Sequence, residues 1–236
     1  MIVLIDGDIV VFRAGFASNT GPFSHALHNT NLVVKDILSA TQADDYTIYI
    51  KGTGNYRTDI PSEYKYKGNR KESHRPIHEQ VIREHLQDTW GAVQVDGMET
   101  DDALGIAQTE AETHSGTDFT TICSIDKDLL MIPGNHYNFV KQVFSTIGQQ
   151  EGLHRFLQQM IVGDRADNIF GIPKYGPVAA NRLLPMDISY KEGWKVLENL
   201  YNKFSTEDAL WSNARLLWIS RTKADDFLEH HEMYME

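Results

Sequence analysis

Four short acidic clusters are spaced along this 236-residue chain: "LIDGD" (Asp6, Asp8), "ETDD" (Glu99, Asp101, Asp102), "SIDKD" (Asp126, Asp128) and "GDRAD" (Asp164, Asp167). Asp6 and Asp8 follow an apolar run that starts at Met1, and they fit two chemistries. Asp6 can be the nucleophile of a phosphotransferase with Asp8 as its acid/base helper, or it can be a ligand to a metal ion. Taken singly, the other clusters also have ordinary explanations. "ETDD" can cap a helix, whose free N–H groups favour acid. "SIDKD" can be a strand-exit turn, and "GDRAD", whose spacing puts both acids on one face of a helical turn, can be a solvated helix end. Capping accounts for only one acid of "ETDD", however, and three together repel one another unless a cation intervenes. Four clusters in order at element ends point jointly to cation binding. Oxygen donors without His or Cys partners suit Mg²⁺ or Mn²⁺ rather than Zn²⁺. Two such ions about 3.5–4 Å apart can activate water and stabilise the leaving oxygen of a phosphodiester. Two-metal phosphodiester hydrolysis is therefore the chemistry expected.

The elements that must position these acids alternate in type. "MIVLI" reads as a first strand and "DIVVFRAGFA" as the helix after it, and "NTNLVVKDILSATQ" has helical spacing. "YTIYI", "GAVQV" and "DFTTICSI" read as further strands, with "PIHEQVIREHLQDTW" and "TDDALGIAQTEAETH" as helices between them. This βαβ alternation predicts an α/β fold with a mostly parallel central sheet flanked by helices, whose carboxyl edge receives the acids. Beyond residue 150 only helices are expected: "EGLHRFLQQMIVG", "VAANRLL", "YKEGWKVLENLYNKF" and "TEDALWSNARLLWISR". The division expected is a core over 1–162 and a helical subdomain over 163–236.

The net charge of −11 argues against a polyanion partner until its distribution is considered. Residues 51–75 hold seven basic and three acidic residues, a net +4 that leaves −15 for the rest of the chain. Rich in Gly, Pro and Tyr but poor in apolar periodicity, this stretch is expected to be an exposed excursion rather than core. Within it Tyr64 and Tyr66 alternate with Lys65 and Lys67, and Arg70 and Lys71 follow. Cations for phosphate and aromatic faces for unpaired bases suit single-stranded nucleic acid, although a solvated basic loop has the same composition. In "GIPKYGPVAANRLL", Gly171 and Gly176 bracket a tight turn between two helices, with Lys174 inside it. Its backbone N–H groups can hold a duplex phosphate, or the turn can simply join packed helices. Cys123 is the only cysteine, which excludes an internal disulfide and suits a reducing compartment. No apolar stretch approaches the roughly 18 residues of a membrane span and no signal peptide is evident, so a soluble cytoplasmic protein without membrane contact is expected.

Taken in order, "YKGNR", "ETDD", "SIDKD" and "GDRADNIFGI…YG" resemble the flap endonuclease and phage 5′→3′ exonuclease family. The similarity is greatest to the phage exonucleases and the 5′-nuclease domain of bacterial DNA polymerase I, and it runs from "LIDGD" to about Leu184. The resemblance implies a PIN-like 5′-nuclease core, a basic arch over 51–77 and a helical DNA-binding subdomain with a helix-hairpin-helix-like turn. It implies that Asp6, Glu99, Asp101 and Asp102 surround a first divalent cation, and Asp126, Asp128, Asp164 and Asp167 a second. Lys67 and Arg70 match the catalytic basic pair of the arch and Tyr66 its stacking aromatic, flanked by Lys65 and Lys71. Gly171 to Gly176 match a duplex-binding hairpin that often holds a monovalent cation such as K⁺. Asp8 is left a supporting or helix-capping place. The activity implied is metal-dependent 5′→3′ hydrolysis of DNA bearing a 5′ end, nick or flap. The setting implied is a monomer acting in phage replication or recombination, in the host cytoplasm if the chain is phage-encoded.

Two positions depart from that pattern. Gly52 or a neighbour stands where the family carries a further aspartate, and Val178 stands where the hairpin carries a lysine. The first departure leaves open a catalytically weakened protein that binds branched DNA. A haloacid-dehalogenase-type phosphatase, suggested by "LIDGDIVV" and "GDRAD", leaves "ETDD", the basic tyrosine-rich stretch and the glycine turn without a use.

Overall fold

The computed structural model describes residues 1–69, 75–115, 119–223 and 227–236. The chain forms two compact units. One comprises Met1–Gly54, Ser73–Leu129 and Gly134–Thr146, the other Asn55–Glu72, Leu130–Pro133 and Ile147–Glu236.

The first unit is built from β1 (Ile2–Asp6), α1 (Gly7–Ala17), α2 (Phe23–Thr41), β2 (Asp45–Lys51), α3 (Glu79–Trp90), β3 (Val93–Val95), α4 (Thr100–Ser115), β4 (Thr120–Cys123), β5 (Gly134–Asn138) and β6 (Val143–Ile147). The strands make one sheet in the order β3-β2-β1-β4-β5-β6. β1 lies parallel to both its neighbours, with Ile2 opposite Asp45 and Thr120, and β2–β3 and β4–β5 are also parallel. Val3 and Ile5 are wholly buried among Val10, Val11, Ile48, Ile50, Ile82 and Leu86. A strand covered on both faces has no polar side to alternate with, which explains the unbroken apolar run. Cys123 is buried in the same core. The turn from β1 into α1 requires Gly7, because a Cβ there would stand 2.5 Å from both Tyr49 O and Ile50 Cγ2 of β2.

β5 and β6 had no counterpart in the sequence reading. "GNHYN" is polar and shows no apolar alternation, yet His136 and Tyr137 are buried because β5 pairs with the fully buried β4. "VFSTI" leaves four of its five residues exposed.

The second unit contains α5 (Gln149–Val162), the two-residue strands β7 (Gly163–Asp164) and β8 (Ile169–Phe170), α6 (Pro177–Leu183), α7 (Tyr190–Phe204), α8 (Glu207–Leu217) and α9 (Phe227–Met235). Its core joins Phe156, Leu157, Met160 and Ile161 of α5 to Trp194, Leu197 and Tyr201 of α7, Leu210 and Ala214 of α8, and Phe227. α5 shares this core with the helices that follow it and with Ile60, Tyr66 and Met131 from earlier in the chain. α7 starts at a full capping box between Ser189 and Glu192.

Three expectations are corrected here. Residues 55–69 are not a detached excursion: Arg57 donates from Nε to Leu216 O at 3.0 Å and from its terminal nitrogen to Trp218 O, while Ile60 and Tyr66 belong to the helical core. "GDRAD" is not a helical turn but the loop of a small antiparallel hairpin, with Gly163 opposite Phe170 and Asp164 opposite Ile169. The turn at Gly171–Gly176 is accordingly entered from β8, not from a helix. Gly163 and Gly171 hold the hairpin closed: a Cβ on Gly163 would lie 2.3 Å from Gly171 N, and one on Gly171 2.5 Å from Gly163 N. Among the described residues no helix is long and apolar enough to cross a membrane.

Candidate active site

The carboxyl ends of the parallel strands deliver acids to one edge of the first unit, where open α/β sheets place their ligands. Asp6, the last residue of β1, is 3% exposed. One carboxylate oxygen caps α1 by accepting from Ile9 N at 3.2 Å, and the other accepts from Ser124 Oγ at 2.7 Å. Ser124 also receives Asp126 N at 3.1 Å, and Asp126 in turn receives Asp128 N at 2.9 Å. One hydroxyl thus ties "SIDKD" to β1.

Burial drives the Asp6 carboxyl up from 3.8 to about 7; the Ser124 hydrogen bond opposes the rise, and Asp8 and Asp126 add to it. Asp101, in the first turn of α4, is also pushed well above the carboxylate range, by burial and then by the charges of Asp6, Asp126, Glu99 and Asp102. Asp102 is fully buried and accepts from Glu99 N at 3.1 Å, so it fixes the entry into α4. Asp101 thus feels the charges of four other proposed ligands, and Asp6 that of Asp126.

Such a set fits a hard divalent cation chemically: all donors are oxygen, and added positive charge would relieve both burial and repulsion. As the side chains stand, no three His, Cys, Asp or Glu groups among the described residues are gathered tightly enough to hold a metal ion. Asp128 faces Lys127, with Nζ 3.9 Å from its Oδ1.

Asp8 is engaged differently. Its Oδ1 accepts from Arg83 at 2.7 Å and from Lys51 N at 3.3 Å, and its Oδ2 accepts from Thr100 Oγ1 at 2.6 Å. Arg83 reaches on to Glu79 at 3.1 Å. Asp8 thus links the end of β2, the outer helix α3 and the first residue of α4. At Gly52 a side chain has no room, because its Cβ would lie 2.2 Å from Asp96 Oδ1 and 2.8 Å from Val95 O. The Asp96 carboxylate beside it is held by the Thr53 amide at 2.6 Å and hydroxyl at 2.9 Å, which lower its pKa.

In the second unit Asp167 meets the basic stretch. Tyr66 donates its hydroxyl to Asp167 Oδ2 at 3.0 Å, and Lys67 Nζ lies 3.5 Å from the same oxygen. Lys67 adopts a left-handed φ of 56° while its amide donates to Asp167 O at 2.8 Å. Asn168 Nδ2 donates to Lys65 O at 2.9 Å, and Asn69 Nδ2 to Arg165 O at 2.6 Å. Tyr66 is 6% exposed, so its ring faces are covered rather than presented to a base. Asp164 closes its own turn by accepting from Ala166 N at 2.8 Å. Lys65 and Lys174 are exposed, as is Gly176. Arg70 and Lys71 lie outside the described residues.

Ser124, Thr100 and Arg83 are the polar partners that sequence reasoning passed over. Ser124 and Thr100 stood inside the acidic motifs, whereas Arg83 gave no signal, since its helical spacing is that of any solvated face.

A family model described as the 5′-3′ exonuclease N-terminal, resolvase-like domain matches residues 1–159. A 5′-3′ exonuclease of Mycoplasma pneumoniae is 27% identical over 205 residues, covering 74% of this chain and 68% of that protein. DNA polymerase I of Streptococcus pneumoniae serotype 4 is 29% identical over 210 residues, covering 78% of this chain but only 23% of the polymerase. Among solved structures, the T5 5′-exonuclease with bound zinc has a TM-score of 0.65 at 19% identity, covering 92% of this chain and 88% of that one. The bacteriophage T5 flap endonuclease in a pseudo-enzyme–product complex with DNA and metal ions has a TM-score of 0.59 at 16% identity, covering 99% and 97%. At such identities these two structures speak for the fold.

Proposed function

Because the chain belongs to the family of 5′-3′ exonuclease N-terminal, resolvase-like domains, we propose that it is a metal-dependent 5′→3′ exodeoxyribonuclease that also cuts at flaps or single-strand junctions. The observation that carries this reading is the cluster at one sheet edge in which the carboxyls of Asp6 and Asp101 are driven up by burial and by neighbouring acids, among them Asp126, Glu99 and Asp102. Two divalent cations, Mg²⁺ or Mn²⁺, would supply charge stabilisation at the phosphate and activation of water.

The chain's own residues do the positioning. Asp6, Glu99, Asp101 and Asp102 would hold one cation, and Asp126, Asp128, Asp164 and Asp167 the other. Asp8 acts through its neighbours: by bonding Thr100 and the Lys51 amide it sets where α4, and with it Asp101 and Asp102, begins. Lys67 and Arg70 would draw the unpaired end and offset charge on the reacting phosphate, with Lys65, Lys71 and Lys174 binding the backbone. The turn from Gly171 to Gly176, with K⁺ as its monovalent cation, would receive duplex. A lone chain acting on DNA with a 5′ end, nick or flap, in phage replication or recombination, suits this arrangement.

One observation favours a second reading. Gly52 has no room for the further carboxylate that the family carries, which suits a protein that binds branched DNA without cutting it. Duplex, nicked and flapped DNA labelled at the 5′ or 3′ end, incubated with Mg²⁺ or Mn²⁺ and with EDTA, separates the two. Short 5′-labelled products dependent on the metal support the nuclease. Binding with no nucleotide released from any 5′ end leaves the second reading.

A further inference from the structure

The second unit displays an aromatic pair that the proposed chemistry does not use. The rings of Tyr64 and Phe170 lie with centroids 4.4 Å apart, tilted by 47°, and the two residues are 47% and 52% exposed. Both backbones are fixed. Phe170 pairs with Gly163 in the hairpin, and its carbonyl accepts from the buried Asn213 at 2.8 Å. The Tyr64 carbonyl accepts from Ser62 Oγ at 2.8 Å, and the next carbonyl along accepts from Asn168. Residues on either side of the pair point inward: Tyr66 and Ile169 belong to the core.

Exposed aromatic surface on so well anchored a backbone is not spare core. Cations flank both rings along the chain: Lys65 adjoins Tyr64, Arg165 precedes Phe170 in the hairpin loop, and Lys174 follows in the next turn, all exposed. The acids of the same segments are already engaged: Glu63 bonds the Tyr64 hydroxyl, Asp164 closes its own turn, and Asp167 receives Tyr66 and Lys67. Two rings amid cations are too small an apolar area for a protein partner, but π-faces beside positive charge suit a nucleobase with phosphates on either side. We propose that Tyr64 and Phe170 form a stacking platform for an unpaired nucleobase of the DNA, with Lys65, Arg165 and Lys174 attracting the flanking phosphates. The proposal rests on the nuclease reading and moves the stacking role from the buried Tyr66 to this exposed pair.

Binding would be measured in Ca²⁺ with two DNAs, a blunt duplex and the same duplex bearing a 5′ single-stranded end that contains 2-aminopurine. Tyr64→Leu and Phe170→Leu keep apolar bulk but remove the ring. Each is expected to weaken binding of the single-stranded end by about 5- to 150-fold, to leave blunt duplex unchanged and to abolish 2-aminopurine quenching, which Phe170→Trp retains. Equal affinity and quenching in the leucine variants, or an equal loss on both DNAs, overturns the proposal. Should the leucine variants fail to fold, Phe170→Trp decides alone: emission from the added indole that is quenched by the single-stranded end supports stacking, and unchanged emission overturns it. Failure of the nuclease reading looks different, because the wild-type chain would then release no nucleotide from any of these DNAs in Mg²⁺ or Mn²⁺, whether or not it binds them in Ca²⁺.

Discussion

Replacing Asp6 by Asn should stabilise the metal-free protein, and by an amount that depends on pH. The folded carboxyl titrates near 7 against 3.8 for an ordinary aspartate. Between those values the folded chain holds a proton that the unfolded chain has released, so stability falls as pH rises through this window, and the loss is complete above it. About three units at 1.36 kcal/mol each give about 4 kcal/mol at pH 8, and less than half of that at pH 5. Asn carries no charge to desolvate, can still accept from Ile9 N, and can donate to Ser124 Oγ in place of accepting from it. Denaturant unfolding in EDTA at pH 5 and pH 8 should therefore show Asp6→Asn more stable than wild type, with the larger gain at pH 8. Mg²⁺ should reverse the order by stabilising only the wild type appreciably. A gain at pH 8 no larger than that at pH 5, or a variant less stable than wild type at both, would refute the picture of a buried acid awaiting a cation.

Ser124→Ala removes the bond that opposes protonation of Asp6; the acid limb of the cleavage–pH profile should move up by about one to two units, from the roughly 1.5–3 kcal/mol of a bond to a charged group. Asp8→Ala strips Arg83 and Thr100 of a partly buried partner and should cost about 1–3 kcal/mol in urea unfolding. Gly52→Asp, which restores a carboxylate on paper, should lower stability without tightening Mn²⁺ binding by calorimetry, since its Cβ has no space. Gly171→Ala should be severely destabilising by thermal melting, because its Cβ would meet the backbone at Ile161 O and Gly163 N. Gly176→Ala should change stability by no more than about 0.5 kcal/mol, since nothing lies within 4 Å of that Cβ.

What could be read from the residues follows from what each residue had to satisfy locally. β1 was legible because a strand buried on both faces must be apolar throughout, β2 because its residues alternate and are β-rich, and β4 because its run is strand-like; the acids at the ends of β1 and β4 marked where those strands stop. β5 was not legible: its burial comes from β4, a neighbour in space whose contribution leaves no local pattern. The segment from Asn55 to Asn69 read as solvated because its composition is polar, yet Ile60 and Tyr66 enter the core and Arg57 anchors the segment through carbonyls some 160 positions away. "GDRAD" has a spacing that suits a helix as well as a turn; the paired glycines at 163 and 171 decide for the hairpin, and their need for each other is invisible until the backbones touch. For the acids, residue type and order were enough to nominate Asp6, Asp101, Asp102 and Asp126, but not to find Ser124, whose hydrogen bond opposes the burial-driven rise of the first of them.

The second unit is assembled from three stretches of chain separated by most of the first unit. During synthesis Arg57, Ile60 and Tyr66 emerge well before Leu216 and Trp218, whose carbonyls receive Arg57. Those earlier residues must wait in water until some 160 further residues have been made. Any truncation that ends before residue 216 therefore removes more than the final helices. It leaves the Arg57 guanidinium without its carbonyl partners and the core side chains of Ile60 and Tyr66, in the first third of the sequence, without the helices that cover them, so a shortened fragment should be prone to aggregation even where its own sheet is complete.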